Sequence, residues 1–85
     1  MKKIKIGLKE KIHFIGIGGI GMSGLAQVMQ RMGFNIQGSD LSNNKNVERC
    51  KKIKIKVFSK HTKKNLKDVT IVVKSSAIKN SKIGR

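Results

Sequence analysis

Apolar and polar residues follow two alternating periods along this chain. Residues 12–17 carry apolar side chains on both faces, which predicts a first strand buried from two sides. From 20 to 32 the spacing changes. Met22, Leu25 or Ala26, Met29 and Met32 recur every three or four residues, predicting a helix with one apolar stripe. Gly33 stands where that helix has to stop. Residues 34–37 predict a short second strand ending in Gly38-Ser39-Asp40. The polar turn Ser42-Asn43-Asn44 predicts the cap of a second helix with Val47 and Cys50 on its inner face. Residues 52–58 alternate strictly, with Ile53, Ile55 and Val57 opposing Lys52, Lys54 and Lys56, so a third strand with one solvated face is expected there. A helical turn is expected at 62–66. Residues 69–73 form a continuous apolar run that reads as a fourth strand leading into Ser75-Ser76-Ala77-Ile78.

Strands that alternate with helices imply a parallel sheet built by right-handed crossovers. The lysine-bearing third strand belongs at a rim, and the continuous first and fourth strands belong inside. The expected architecture is therefore an α/β, Rossmann-like parallel sheet of order 3-2-1-4 with flanking helices. A fourth strand of interior pattern with no further strand to cover it makes the sheet incomplete at its C-terminal edge. The chain accordingly reads as a charged leader at 1–11 followed by a partial domain at 12–85, cut from something longer.

The chemistry concentrates where the strands end. Gly16, Gly18 and Gly21 form a G-x-G-x-x-G pattern between the first strand and the first helix. A chain that turns on glycines into a helix aims free main-chain N–H groups and the positive helix end at one spot, which suits a diphosphate. The same loop also reads as a tight structural turn. Asp40, at the end of the second strand, can accept from a ribose or serve as a turn cap. His61 can meet a ligand or merely be solvated, and Ser75 and Ser76 can bond a ligand or close a strand end. His13, inside the first strand, reads as a hydrogen-bonded structural histidine. In a parallel sheet these strand ends share one edge, and their convergence carries more weight than any one of them.

Composition narrows the function classes. In 85 residues there is one small domain at most, with stability expected to be marginal. Twenty Lys and Arg against four acidic residues give a net charge of +16, which on its own suggests a polyanion partner. However, the lysines are spread along the whole chain, and Phe14, Phe34 and Phe58 sit in apolar runs rather than among them as stacking platforms. A solvated basic surface is the plainer reading, and no nucleic acid is expected. Cys50 stands alone, so no metal site or disulfide is expected and a reducing, cytoplasmic setting is. No stretch has the length of a signal-peptide core or a membrane span. Ser23 lacks the glycine that a nucleophile elbow requires two residues on, and no G-x-x-x-x-G-K-[ST] cradle is present. No paired carboxylates or oriented His/Asp pair suit catalysis. The chemistry in view is binding, and no catalytic residue is assigned.

The stretch from His13 to Ala26, with Gly38-Ser39-Asp40, the His61 loop and Val72-Val73-Lys74-Ser75-Ser76-Ala77-Ile78, resembles the start of a Mur ligase. The resemblance covers about 11–80. It implies an amino-terminal domain that grips the UDP part of UDP-N-acetylmuramate, with Gly18, Gly19, Ile20, Gly21 and Met22 at the diphosphate. By the same resemblance Asp40 and Leu41 lie at the uridine, with His61 and Ser75 approaching from neighbouring strand ends. ATP and Mg2+ would be bound only by further domains, where the muramoyl carboxylate is activated and joined to L-alanine, so no cofactor is expected in this chain. Two other readings stay open on the residues: the NAD-binding half of a dehydrogenase, and a basic nucleic-acid-binding module.

Overall fold

A computed structural model describes Gly7 and residues 9–74. Strand β1 (Lys11–Ile15) leads into helix α1 (Ile20–Arg31), strand β2 (Asn35–Ser39), helix α2 (Lys45–Lys52), strand β3 (Lys56–Phe58), a 3-10 turn (Lys63–Leu66) and strand β4 (Ile71–Lys74). All pairings are parallel and the order is β3-β2-β1-β4, as the strand patterns predict. The lysine strand lies at one rim. β4 forms the other rim of the described sheet, with Val72 44% exposed. The expected continuation at Ser75-Ser76 lies outside the described residues, as does most of the leader.

Both helices cover the same face. Ile12 and Phe14 of β1, Ile36 of β2, Ile17, Ala26 of α1, Cys50 of α2 and Ile55 just after it make one buried cluster. Truncating the fully buried Phe14 to Ala would cost about 3–5 kcal/mol by lost transfer and cavity terms. On α1 the stripe turns on Ala26, which is fully buried, with Met22 and Met29 packed beside it. Leu25 and Met32 point away and are largely exposed. Gly33, at φ 100°, donates to the Gln30 carbonyl while Phe34 donates to that of Met29, a Schellman closure of α1. Asn44 caps α2 through its side chain, which accepts from the Val47 N–H at 2.9 Å.

The third strand is shorter than its alternation suggests. α2 runs to Lys52, and a second Schellman closure follows: Lys54 donates to the Lys51 carbonyl and Ile55 to that of Cys50. Lys54 takes the left-handed conformation there, at φ 71°. Inside–outside alternation survives at Ile53, Lys54 and Ile55, but a helix end and its cap produce it.

The opposite face of the sheet is polar. His13, Gln37 and Ser39 are all buried there, under the 3-10 turn. Parallel register places His13 beside Gln37, and Ile15 beside Ser39. Among the described residues, no helix is long and apolar enough to cross a membrane.

Candidate functional site

At the carboxyl ends of β1, β2 and β3 lies a cavity of about 540 Å³, lined by the glycine loop, the start of α1, Asp40, Leu41 and His61. That size suits a small ligand. The loop takes its shape from two glycines. Gly16 adopts φ 78°, a conformation that L side chains rarely tolerate. Gly18 is packed shut: a Cβ there would stand 2.8 Å from both Asp40 Oδ2 and Val47 Cγ2, and 3.0 Å from Asn44 Oδ1. The N–H groups of Gly16 and Ile17 both donate to the Ser39 carbonyl, at 2.8 and 3.0 Å, and tie the loop to the end of β2.

The Gly18 peptide is held from both sides. Its N–H donates to Asp40 Oδ2 at 2.7 Å, and its carbonyl accepts from Asn44 Nδ2 at 3.2 Å and Asn46 Nδ2 at 3.0 Å. Gly19 donates to the Gly16 carbonyl at 3.0 Å. These two amides are therefore engaged within the loop. The first helical bond runs from Ser23 N–H to the Gly19 carbonyl, and Gly19, the N-cap, makes no side-chain cap. The unshielded donors are thus the N–H groups of Ile20, Gly21 and Met22, at the positive end of α1 and on the cavity wall. A Cβ on Gly21 would meet nothing within 4 Å. Neither its packing nor its backbone requires glycine, yet glycine keeps the approach to those amides open.

Asp40 serves the loop as well as the cavity. Its Oδ1 accepts from the Ser42 N–H and hydroxyl, both at 2.9 Å, while Oδ2 accepts from Gly18. Burial pushes its carboxyl upward. The bonds from the Ser42 N–H, the Gly18 N–H and the Ser42 hydroxyl, with His61 nearby, outweigh that and hold it below the ordinary carboxylate range.

Behind the cavity runs a polar chain. His61 Nδ1 lies 2.6 Å from Ser39 Oγ, which lies 3.1 Å from His13 Nε2. His13 Nδ1 is 2.6 Å from Gln37 Nε2, which also donates to the Asn65 carbonyl at 2.7 Å. The His13 ring sits 6.3 Å from that of Phe58, tilted by 30°. Burial, then the neighbouring His61, pushes the His13 pKa below its ordinary value. Among the described residues every buried side-chain nitrogen and oxygen has a partner.

The structure thus brings Gly18, Gly19, Ile20, Gly21, Met22, Asp40, Leu41 and His61 around one cavity. Ser75 lies outside the described residues. His13 is the hydrogen-bonded strand histidine expected of it. Sequence reasoning passed over Asn44 and Asn46 as the clamp on the Gly18 carbonyl, Ser42 as a partner of Asp40, and Gln37 altogether. The Asn-rich turn before α2 was the available signal for the clamp. For Gln37 there was none.

A family model described as "Mur ligase family, catalytic domain" matches residues 11–83. A UDP-N-acetylmuramate--L-alanine ligase of Pelagibacter ubique is 66% identical over 79 residues, which cover 93% of this chain and 17% of that protein. Proteins of the same name from Rickettsia bellii and Aquifex aeolicus are 54% and 51% identical, over 81% and 82% of this chain and 14% and 15% of their own length. The chain therefore spans about a sixth of the length of these curated relatives.

Proposed function

The chain belongs to the Mur ligase family, and from that premise we propose that it is the UDP-binding amino-terminal unit of a ligase that joins L-alanine to UDP-N-acetylmuramate. The observation that carries the reading is the uncapped first turn of α1. Its three unshielded amides face a cavity whose far wall is Asp40, Leu41 and His61. A diphosphate seated there gains charge-assisted hydrogen bonds and a favourable dipole without a single cationic side chain. Leu41, 73% exposed, offers an apolar surface for a base. His61 and Asp40 flank the same wall with polar groups suited to uridine, and Ser75 follows β4 as a further candidate contact.

In this reading the chain contributes grip and orientation. ATP and Mg2+, with the activation of the muramoyl carboxylate, belong to other parts of the ligase, and no residue here is given a catalytic step. Domain limits of 12–85 for the nucleotide-binding unit, after a basic leader, are part of the same proposal.

Titration of the 15N-labelled chain with UDP and with NAD tests it. UDP is expected to shift the amide signals of Ile20, Gly21 and Met22 first, at low and at high salt alike. Tight binding of NAD with no response to UDP would overturn the reading in favour of a dehydrogenase half. Salt-sensitive binding of DNA that leaves those amides unmoved would overturn it in favour of a basic module.

A further inference from the structure

The polar chain behind the cavity has a direction. The Asn65 main-chain carbonyl can only accept, so the Gln37 amide must turn its NH2 towards it, at 2.7 Å. The other hydrogen of that NH2 points at His13 Nδ1, 2.6 Å away. His13 Nδ1 is therefore an acceptor, and a neutral His13 carries its proton on Nε2. That N–H donates to Ser39 Oγ at 3.1 Å. The hydroxyl hydrogen of Ser39 is then directed to His61 Nδ1, at 2.6 Å. With Nδ1 accepting, His61 holds its own proton on Nε2, which has no partner among the described residues.

We propose that Gln37, His13 and Ser39 are positioning residues that fix His61 as an Nε2–H donor, aimed at an acceptor oxygen on the base or ribose of the bound nucleotide. The proposal rests on the UDP-binding reading for the identity of the acceptor, but not for the direction of the chain. Its three members are almost wholly buried, with 1% of His13, 4% of Gln37 and none of Ser39 exposed. Such burial shields these three, though not the exposed His61, from water as an alternative partner. Reversing the Gln37–His13 or the His13–Ser39 link would set two donors or two acceptors face to face among buried atoms, and turning His61 over would leave the Ser39 hydroxyl hydrogen with no acceptor among the described residues. A carbonyl in the 3-10 turn thus decides the role of a ring nitrogen at the cavity edge. The arrangement favours ligands that present an acceptor to His61 and disfavours those that present a donor.

Long-range 1H–15N correlation on the imidazoles of the full chain, at about pH 8 and so above the ordinary histidine pKa, reads the tautomers directly. Both His13 and His61 are expected to show the proton on Nε2. An Nδ1 proton on either one overturns the proposal. Gln37→Glu replaces the donor at the head of the chain with an acceptor, so in the folded variant His61 is expected to switch to Nδ1–H. Retention of Nε2–H on His61 in a folded variant whose His13 shows a single ring proton also overturns the proposal, since a doubly protonated His13 would itself keep the original direction. If Gln37→Glu does not fold, the measurement on the parent chain still decides.

UDP titration supplies the functional arm. Ser39→Ala is expected to weaken UDP binding about tenfold, roughly one hydrogen bond to a positioned donor. Adding Ser39→Ala to His61→Ala should cause no further loss, whereas additive losses would refute positioning through His61. A parent chain that does not bind UDP refutes the functional reading alone, because the tautomer result needs no ligand.

Discussion

Gly21→Ala separates a structural glycine from a functional one, because it should raise stability and lower affinity together. Gly21 sits in the first turn of α1 with ordinary helical backbone and open space where a Cβ would be. Alanine there restricts the unfolded chain and adds no clash, which is worth about 0.5–1 kcal/mol. In a domain of this size that is a rise of roughly 2–8 °C in Tm. The same methyl group would occupy open space at the cavity wall that Ile20, Gly21 and Met22 line. It would hold an anion off at least one of their amides, and a charge-assisted hydrogen bond contributes about 1.5–3 kcal/mol. UDP affinity should therefore fall at least about tenfold. Gly18→Ala is the control with the opposite sign in stability. Its Cβ would press on the buried Val47 and displace Asp40 from the Gly18 N–H. The lost bond and the crowding together come to about 3 kcal/mol, a Tm loss of more than about 10 °C. Thermal melts followed by far-UV circular dichroism and calorimetric titration with UDP measure both. A Gly21→Ala chain that melts lower would refute the stability argument, and one that binds UDP as tightly as the parent would refute the assignment of those amides to the anion.

Further outcomes follow from other parts of the molecule. Lys54→Gly should stabilise the chain by about 0.5–1 kcal/mol in urea unfolding, since the left-handed cap at φ 71° suits glycine better than lysine; an unchanged or lower midpoint would refute it. His13 has its folded pKa below the unfolded value of about 6.5, so the unfolded chain takes up the proton first. Stability is therefore fully present above about pH 6.5 and declines as pH falls from there to the folded value, and equal urea midpoints at neutral and mildly acidic pH would count against a buried neutral His13. Asp40 is a depressed carboxylate, so its contribution is present above about pH 3.9 and is lost as pH falls through its lower folded value. Asp40→Asn should flatten acid unfolding in that window as well as lower the Tm at neutral pH. Cys50 is fully buried with its thiol pKa pushed up by that burial, so a thiol reagent should label it only as the chain opens in denaturant.

The order of the sheet was legible because each strand carries its burial in its own residues. Lysine on every second position places β3 at a rim, and apolar residues on successive positions place β1 inside. Helix limits were legible for a similar reason. Gly33 and Asn44 close and open their helices through their own backbone and side chain. The glycine loop announced a cavity, since φ 78° at Gly16 is a conformation side chains rarely adopt and the close packing at Gly18 leaves no room for a Cβ. The misreading of 52–55 has an equally local cause. A helix end closed by a left-handed residue buries every second side chain just as a strand does, and the inside–outside period cannot separate the two.

Local chemistry therefore determined most of the elements, how they are ordered, and which loop lines the cavity. Only the tertiary structure decided which donors remain open to the cavity. Asp40, 22 residues away, occupies the Gly18 N–H, and Gly19 turns its own amide back into the loop, so the open amides begin two residues on and are those of Ile20, Gly21 and Met22. It also decided the polarity of the chain behind His61. Gln37 meets His13 across 24 residues because parallel pairing sets them side by side, and Asn65 closes the chain from the turn beneath. A hydrogen bond depends on where two groups lie in space and on which of them holds the proton. Neither is written in the residues that flank them.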